Sequence, residues 1–165
     1  MAKNIHENVN ELSIERLVHL KEKIQTSDDN HQLEFVRKHK ELTFVNDAKS
    51  IRTTATRYSL EAMQTSVVLI LGGKNTVSDY FVLANKIKQK VVAIVYLGDN
   101  SNDILSFLTS KKMFFAKASS IDEAVQIASV IGRSGNVVLF SPACQCVEEN
   151  YKVRGNEFKQ AVQKL

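Results

Sequence analysis

The chain has 165 residues, of which 44% are hydrophobic and 24% charged, and its formal net charge at pH 7 is +4. This length and composition are those of one globular domain with one core. No apolar run approaches the length needed to cross a membrane, and residues 66–71, for example, are only strand-sized; the polar start of the chain lacks a signal core, so a cytoplasmic protein is expected. Lysines are scattered along helix-like segments without a basic, aromatic-interleaved motif, so nucleic acid is not an expected partner.

The first segment is predicted to be a helical extension. Residues 8–25 carry a loose apolar stripe among Glu and Lys, and the polar stretch 26–30 interrupts it. We therefore expect an N-terminal helical extension over residues 1–30 and a separate domain over residues 31–165.

Strands and helices alternate from His31 onward. The predicted strands cover residues 33–36, 42–45, 66–71, 91–97 and 137–140, with a charged turn at 37–40 between the first two. One predicted helix follows Asn46-Asp47. Four more are predicted over residues 79–89, 103–110, 120–132 and 155–164. Short apolar strands between helices predict an α/β fold with a Rossmann-like, mostly parallel (mixed) sheet and helices on both faces.

Two details of these helices are specific enough to check. In the helix over 79–89, the side chains predicted to face the core are Phe81, Leu83, Ala84 and Ile87. Ser119 or Ser120, with Glu123, has the spacing of a capping box before the helix over 120–132.

The two cysteines, Cys144 and Cys146, are too close in sequence for a relaxed disulfide. No His cluster completes a zinc site around them, so two reduced thiols and no metal site are expected. The chain also contains neither the Gly-x-Gly-x-x-Gly dinucleotide fingerprint nor a P-loop sequence.

Polar side chains follow the predicted strand that ends at Val45. In Asn46-Asp47-Ala48-Lys49, an Asp at a strand end can accept from ribose hydroxyls, and a nearby Lys can neutralise phosphate. A helix that starts there offers free backbone N–H groups to anions. The alternative is an Asn/Asp helix cap followed by a surface lysine.

Four motifs, in order, resemble those of the Mur ligase family, most closely its D-glutamate-adding members. Residues 141–144 and 154–158 resemble the closing Ser-Pro-Ala-Cys and Arg-Gly-x-x-Phe of the family. Residues 31–36, 46–49 and 72–80 resemble its hinge motif, its Asn-Asp-Ser-Lys motif and its Gly-Gly loop. The resemblance covers residues 31–165 and implies the fold of a Mur ligase C-terminal domain.

The resemblance also implies roles for individual residues. The positions that match its nucleotide site are His31, Gln32, Asn46, Asp47 and Lys49, and those that match its substrate site are Thr76, Ser141 and Arg154. Lys74, two residues before Thr76, is a displaced candidate for the substrate site, and the alternative is that it only follows a Gly-Gly turn that ends a strand. Gln32 stands where the family has Arg, and Thr76 and Ile51 stand where it has Lys and Thr. For His31 the alternative is a partly packed surface histidine, and for Arg154 a structural arginine at a helix start.

Three functions remain open from the sequence. The first is a non-catalytic relative in peptidoglycan precursor synthesis that binds a nucleotide, an amino acid or a protein partner. The second is a split subunit that completes an ATP-dependent D-glutamate-adding ligase with a ligase-like partner. The third is a structural interaction module with a vestigial site. In the family, the P-loop and the metal ligands belong to a central domain, so weak ATP or ADP binding without Mg²⁺, and no turnover by this chain alone, are expected.

Overall fold

The computed structural model describes residues 30–72, 77–98, 113–144 and 150–165, with only the backbone at 77 and 78. Six strands lie in this part of the chain: β1 (Glu34–His39), β2 (Leu42–Asn46), β3 (Val67–Leu71), β4 (Val91–Leu97), β5 (Phe114–Ala118) and β6 (Val137–Phe140). The four helices there are α1 (Thr53–Ala62), α2 (Phe81–Lys90), α3 (Ile121–Ile131) and α4 (Tyr151–Gln163), and a 3-10 turn over Val77–Tyr80 precedes α2.

The six strands form one sheet in the order β1-β2-β6-β3-β4-β5. Strand β1 pairs antiparallel with β2, and every other pair is parallel. The predicted mixed, mostly parallel sheet is therefore confirmed. Strand β3, Val-Val-Leu-Ile-Leu, is buried along its whole length, as expected of a central strand covered on both faces.

Helices cover both faces of the sheet. On one face α1 and α2 contribute Leu60, Leu83 and Ile87 to a cluster with Leu69 and Leu139. The other face carries α3 and α4, whose buried side chains include Ala124, Ala128, Phe158 and Ala161. Successive side chains of a strand point to opposite faces of the sheet. The strand residues that α3 and α4 contact therefore alternate along the sequence with those that α1 and α2 contact.

Strand β6 lies where the connections that leave the strands switch from one face of the sheet to the other. Strands β2 and β3 are followed by helices on one face, whereas β6, which lies between them, is followed by α4 on the other face. In open α/β sheets, neighbouring strands whose connections leave toward opposite faces open a crevice at their carboxyl ends, where ligands bind. The ends of β2, β3 and β6 are therefore the expected location of a site.

Four sequence predictions about elements were wrong. Strand β5 was not predicted, and α4 begins at Tyr151 instead of Gly155, because the Asn150 side chain caps it by accepting from the Lys152 N–H at 3.1 Å. Strand β1 runs to His39, so the turn lies at Lys40-Glu41, both with positive φ. Phe81 is 63% exposed and does not face the core, whereas Leu83 and Ile87 are buried as predicted.

The capping box before α3 is confirmed. The Ser120 hydroxyl accepts from the Glu123 N–H at 3.1 Å, and the Glu123 carboxylate accepts from the Ser119 N–H at 2.7 Å. The predicted helices over 8–25 and 103–110 lie outside the described residues, as does the extension over 1–30 apart from Asn30. Among the helices of the described part, none has both the length and the apolar character needed to cross a membrane.

Candidate functional site

Three loops meet at the carboxyl ends of β2, β3 and β6. Backbone hydrogen bonds join them to one another and to the strand ends: Asp47 N–H to Phe140 O (2.8 Å), Ser141 N–H to Ile70 O (3.2 Å), Ala143 N–H to Ser50 O (2.9 Å) and Gly72 N–H to Pro142 O (3.1 Å). The loop after β2 and the loop after β6, which the sequence singled out separately, therefore form one connected edge.

Asp47 is the buried centre of this edge. Its Oδ1 accepts from the Leu33 N–H at 3.2 Å, and its Oδ2 accepts from the Ser141 hydroxyl at 2.7 Å. The Ser141 Oγ also lies 2.8 Å from the Thr56 Oγ1. Since a hydroxyl has one proton, a Ser141 that donates to the carboxylate accepts from Thr56.

The environment of Asp47 acts on its protonation in two directions. Complete burial raises the pKa of the carboxyl group, because the charged form loses its hydration. Hydrogen bonds from Ser59, Ser50, Ser141 and the Leu33 backbone favour the charged form and offset part of that increase. Neither Thr56 nor Ser59 was singled out in the sequence. The available signal was their spacing of three residues, which places both on one face of α1.

Asn46 and His31 form a second buried contact beside Asp47. The Asn46 side-chain amide donates to His31 Nδ1 at 2.9 Å and to Glu34 Oε2 at 3.0 Å, and its Oδ1 accepts from the Ala48 N–H at 3.2 Å. The His31 carbonyl accepts from the Lys49 N–H at 3.0 Å. Residue 31 is thus tied to the loop after β2 by both its backbone and its side chain.

The hydrogen bonds fix the tautomer of His31. Glu34, the Gly155 carbonyl and the Ala48 N–H determine which way the Asn46 amide points, so its NH₂ group faces His31 Nδ1, and we assign Nδ1 as an acceptor. The ring is then neutral, with its proton on Nε2. Burial is the largest cause that lowers the pKa of His31; Lys159 and Lys152 lower it further, and Glu34 opposes them.

Helix α4 closes over His31. A Cβ atom at Gly155 would lie 2.1 Å from His31 Nδ1, so only glycine fits there. The Tyr151 ring contacts the imidazole edge to face, with the ring centroids 6.1 Å apart. His31 is 4% exposed, so the alternative of a surface histidine is wrong.

The N-terminus of α1 lies directly after this loop. Its N-cap residue, Arg52, makes no side-chain capping bond, and the first turn contains no acidic residue. Arg52 is exposed, and Lys49 is half-buried. Because the first N–H groups of a helix lack intrahelical partners and carry partial positive charge, this end of α1 favours an anion. Gln32, also predicted for the nucleotide side, is exposed.

The residues predicted for the substrate side lie in different surroundings. Ser141 is buried and bonded to Asp47. Arg154 is 6% exposed, with its guanidinium 5.6 Å from the centroid of the Phe140 ring and its Nη1 4.0 Å from Cys144 Sγ. This packing matches the alternative of a structural arginine.

The predictions for Lys74 and Thr76 and for the two cysteines fall wholly or partly outside the described residues. Lys74 and Thr76 are both outside, as is Cys146. Cys144 is buried and forms no disulfide, and its Sγ donates to the Gly72 carbonyl at 2.8 Å. Within the described ranges, no three His, Cys, Asp or Glu residues form a cluster able to hold a metal ion.

Comparison with known proteins agrees with this architecture. Over 137 residues the chain is 36% identical to the UDP-N-acetylmuramoylalanine–D-glutamate ligase of Porphyromonas gingivalis, a match that covers 82% of this chain and 30% of that ligase. The chain thus spans about a third of the length of the curated relatives it matches. No protein-family model matches it.

Solved structures show the same fold. A MurF ligase from Thermotoga maritima in complex with ADP superposes with a TM-score of 0.56 at 16% identity, over 84% of this chain and 32% of that one. A domain from a putative UDP-N-acetylmuramate:L-alanyl-γ-D-glutamyl-meso-diaminopimelate ligase of Haemophilus ducreyi gives 0.55 at 14% identity, over 79% of this chain and 98% of that one.

The sheet order and the crevice beside β6 define a C-terminal domain of the Mur ligase type. The chain carries a Mur ligase C-terminal-like domain, and the sequence relatives reported above are UDP-N-acetylmuramoylalanine–D-glutamate ligases.

Proposed function

We propose that this domain forms one side of a Mur-type ligase cleft and binds the phosphates of ATP or ADP, weakly, where β2 leads into α1. Its role belongs to peptidoglycan precursor synthesis, the process in which its ligase relatives act. The chain is not expected to catalyse acyl-phosphate formation alone, because phosphoryl transfer depends on positioned phosphates and a metal ion, and this sequence lacks the P-loop that the family uses for this.

One observation carries the proposal. The N-terminus of α1 has no side-chain cap and no acidic residue in its first turn, and two cationic residues, Lys49 and the N-cap residue Arg52, directly precede it in the chain. Backbone N–H groups at a helix start favour an anion, and cationic residues close to it in sequence strengthen that preference. The ADP complex of the Mur ligase neighbour from Thermotoga maritima supports a nucleotide as that anion.

The binding is expected to be weak for two reasons. Gln32 lacks the positive charge that the family places there, which removes one charge-assisted hydrogen bond. A single domain also offers only one wall of a cleft. D-Glutamate is not expected to bind measurably at millimolar concentration, because the Ser141 hydroxyl already donates to Asp47 and Ile51 has no hydroxyl.

Calorimetric titration with ADP and ATP tests the nucleotide site. Lys49→Ala is expected to weaken binding about tenfold, which corresponds to roughly 1.4 kcal/mol. Lys38→Ala is the matched control, since Lys38 is an exposed lysine of β1 that pairs with Glu41 at 3.3 Å. It is expected to leave the affinity unchanged. Submicromolar wild-type affinity, or equal effects of the two substitutions, contradicts the proposal.

A second candidate is a domain that works with a ligase-like partner supplying the nucleotide- and sugar-binding domains in trans. The presence of Asp47 and Lys49 favours it, since both residues match the family's ligand-binding positions. Affinity capture from the native cell followed by mass spectrometry tests it. Recovery of a ligase-like protein supports the candidate, and its absence from repeated captures counts against it.

A further inference from the structure

His31 connects three parts of the described domain. Its imidazole accepts from Asn46, its carbonyl accepts from the Lys49 N–H, and its ring packs against Gly155 and Tyr151 of α4. The backbone at residue 31 has a φ of 79°, a left-handed conformation that is uncommon for residues other than glycine and is tolerated best by Asn, Asp and His. The residue is therefore held in place by specific contacts on every side.

We propose that His31 is a positioning residue for the loop over residues 46–52, and that it holds this loop in its anion-binding conformation only while its imidazole is neutral. The proposal rests on the proposed function, because the loop is where the nucleotide phosphates are expected to bind. His31 acts through Asn46 and the backbone of Lys49 without contacting the ligand.

The hydrogen-bond pattern explains why one proton is decisive. A protonated imidazole presents an N–H at Nδ1 to the N–H of Asn46, so two donors face each other. Asn46 cannot rotate its amide to resolve this conflict. A rotated amide would turn its oxygen toward the Glu34 carboxylate and its NH₂ toward the Ala48 N–H. Protonation therefore removes one of the contacts that hold Asn46, which keeps those to Glu34, to the Ala48 N–H and to the Gly155 carbonyl at 3.4 Å, and the turn that presents Ala48 and Lys49 loosens.

Charged groups on the surrounding elements set the balance. Strand β1 contributes Glu34, whose Oε2 lies 3.8 Å from His31 Nδ1 and whose Oε1 pairs with Lys159 at 3.2 Å. Helix α4 contributes Lys159, Lys152 and the Tyr151 ring. The two lysines oppose a charged imidazole, and Glu34 alone favours it. Burial, Lys159 and Lys152 outweigh Glu34 and together lower the pKa of His31 from its ordinary value of 6.5.

The sign of the effect on stability follows. The unfolded chain takes up the proton more readily than the folded domain, so this residue's contribution is fully present above pH 6.5. That contribution is lost as the pH falls from there through the folded-state pKa. Loosening of the loop is expected over the same interval.

Two substitutions separate the role of the proton from the role of the side chain. In His31→Asn, the side-chain oxygen replaces Nδ1 as an acceptor, the positive φ is tolerated, and nothing titrates. In His31→Ala, the acceptor is lost. His39→Asn is the matched control, since His39 is a second histidine, at the end of β1 and outside this network.

The measurement is a pH titration from 7.5 to 5 by heteronuclear NMR, with and without ADP. In the wild type and His39→Asn, the His31 ring and the Ala48 and Lys49 amides are expected to titrate with one midpoint, and ADP affinity is expected to fall more on acidification than in His31→Asn. In His31→Asn, the amides keep their neutral-pH positions, and ADP affinity falls only as far as protonation of its own phosphate requires. His31→Ala shows the loosened loop at pH 7.5.

Two results would overturn the proposal, and a third would separate it from the proposed nucleotide site. Amides that titrate equally in His31→Asn and wild type overturn the proposal, and so does a wild-type ring that stays neutral down to pH 5. Because the wild-type ring is observed directly, the test does not depend on the variants folding. A normal titration of ring and loop with no ADP binding at any pH supports the positioning role and refutes the proposed nucleotide site.

Discussion

Asp47 shows how one buried carboxylate joins segments that are distant in sequence. It accepts from the Leu33 N–H and from Ser141, which is 94 positions further along the chain. Its backbone N–H donates to Phe140. The start of the domain and the ends of β2 and β6 therefore depend on this residue for their relative positions.

Substitutions at Asp47 are expected to differ according to whether they keep an acceptor. In Asp47→Asn, the side-chain oxygen still accepts from Leu33 and the amide donates to Ser141, which then donates to Thr56, so the loss of unfolding free energy at pH 7 is about 1 kcal/mol or less. Asp47→Ala leaves the Leu33 N–H without its acceptor and is expected to cost about 2–3 kcal/mol. Urea unfolding measures both, and equal losses contradict this description.

The pH dependence at Asp47 has the opposite sign to that at His31. Burial raises the folded-state pKa of Asp47, so the folded domain binds its proton more readily than the unfolded chain. The stability contributed by the protonated form is lost as the pH rises from the ordinary value through the folded-state pKa. Asp47→Asn lacks this term, so the wild type gains stability relative to it on acidification.

The sequence identified the polar residues at the carboxyl edge of the sheet but not the hydrogen bonds between them. Asn46 and Asp47 were singled out because they follow a predicted strand, and His31 and Ser141 because they match motifs of the family that the sequence resembles. That Asp47 and Ser141 bond to each other depends on β6 lying beside β2, and no local pattern fixes strand order. Thr56 and Ser59 were missed because a hydroxyl inside a helix is usually a surface residue.

At the scale of elements, the strands that are mostly buried were predicted most accurately. Strands β3, β4 and β6 were predicted within a residue of their observed bounds, since each is a near-continuous apolar run. Strand β5 lies at the edge of the sheet, and its Phe-Phe-Ala-Lys-Ala sequence is partly exposed, so it carries no such signal. Antiparallel β1 ran three residues further than predicted because its charged end still pairs with β2.

Helix α4 depends on Gly155 for its position over His31. Gly→Ala in a helix ordinarily stabilises by about 1 kcal/mol, because alanine has the higher helix propensity. At Gly155 the added Cβ would lie 2.1 Å from His31 Nδ1, so Gly155→Ala is expected to destabilise by about 1–3 kcal/mol instead.

Asn156→Ala provides the comparison within the same helix. Asn156 is the next residue and is exposed, so its replacement is expected to stabilise by a few tenths of a kcal/mol. Urea unfolding of the two variants therefore gives opposite signs. A Gly155→Ala variant as stable as the wild type would show that α4 does not press on His31.

For the whole molecule, the fold class followed from alternating strands and helices, and the homology to Mur ligases followed from four short motifs. The departures from the family, Gln32 and Ile51, were also readable from the sequence. The crevice was not, because it arises from β6 inserting between β2 and β3. The order of strands thus brings the loop after β2 and the loop after β6 to one edge, where Asp47 and Ser141 form a hydrogen bond.

The central claim is that this edge binds nucleotide phosphate. Titration of the ¹⁵N-labelled protein with ADP at pH 7.5, followed by amide chemical shifts, tests it most directly. Saturable shifts are expected at residues 49–54, around Lys49 and the first turn of α1, with none at the Lys38–Glu41 end of the β1–β2 hairpin. Absence of saturable shifts up to millimolar ADP, or shifts that centre on the hairpin, would contradict the claim.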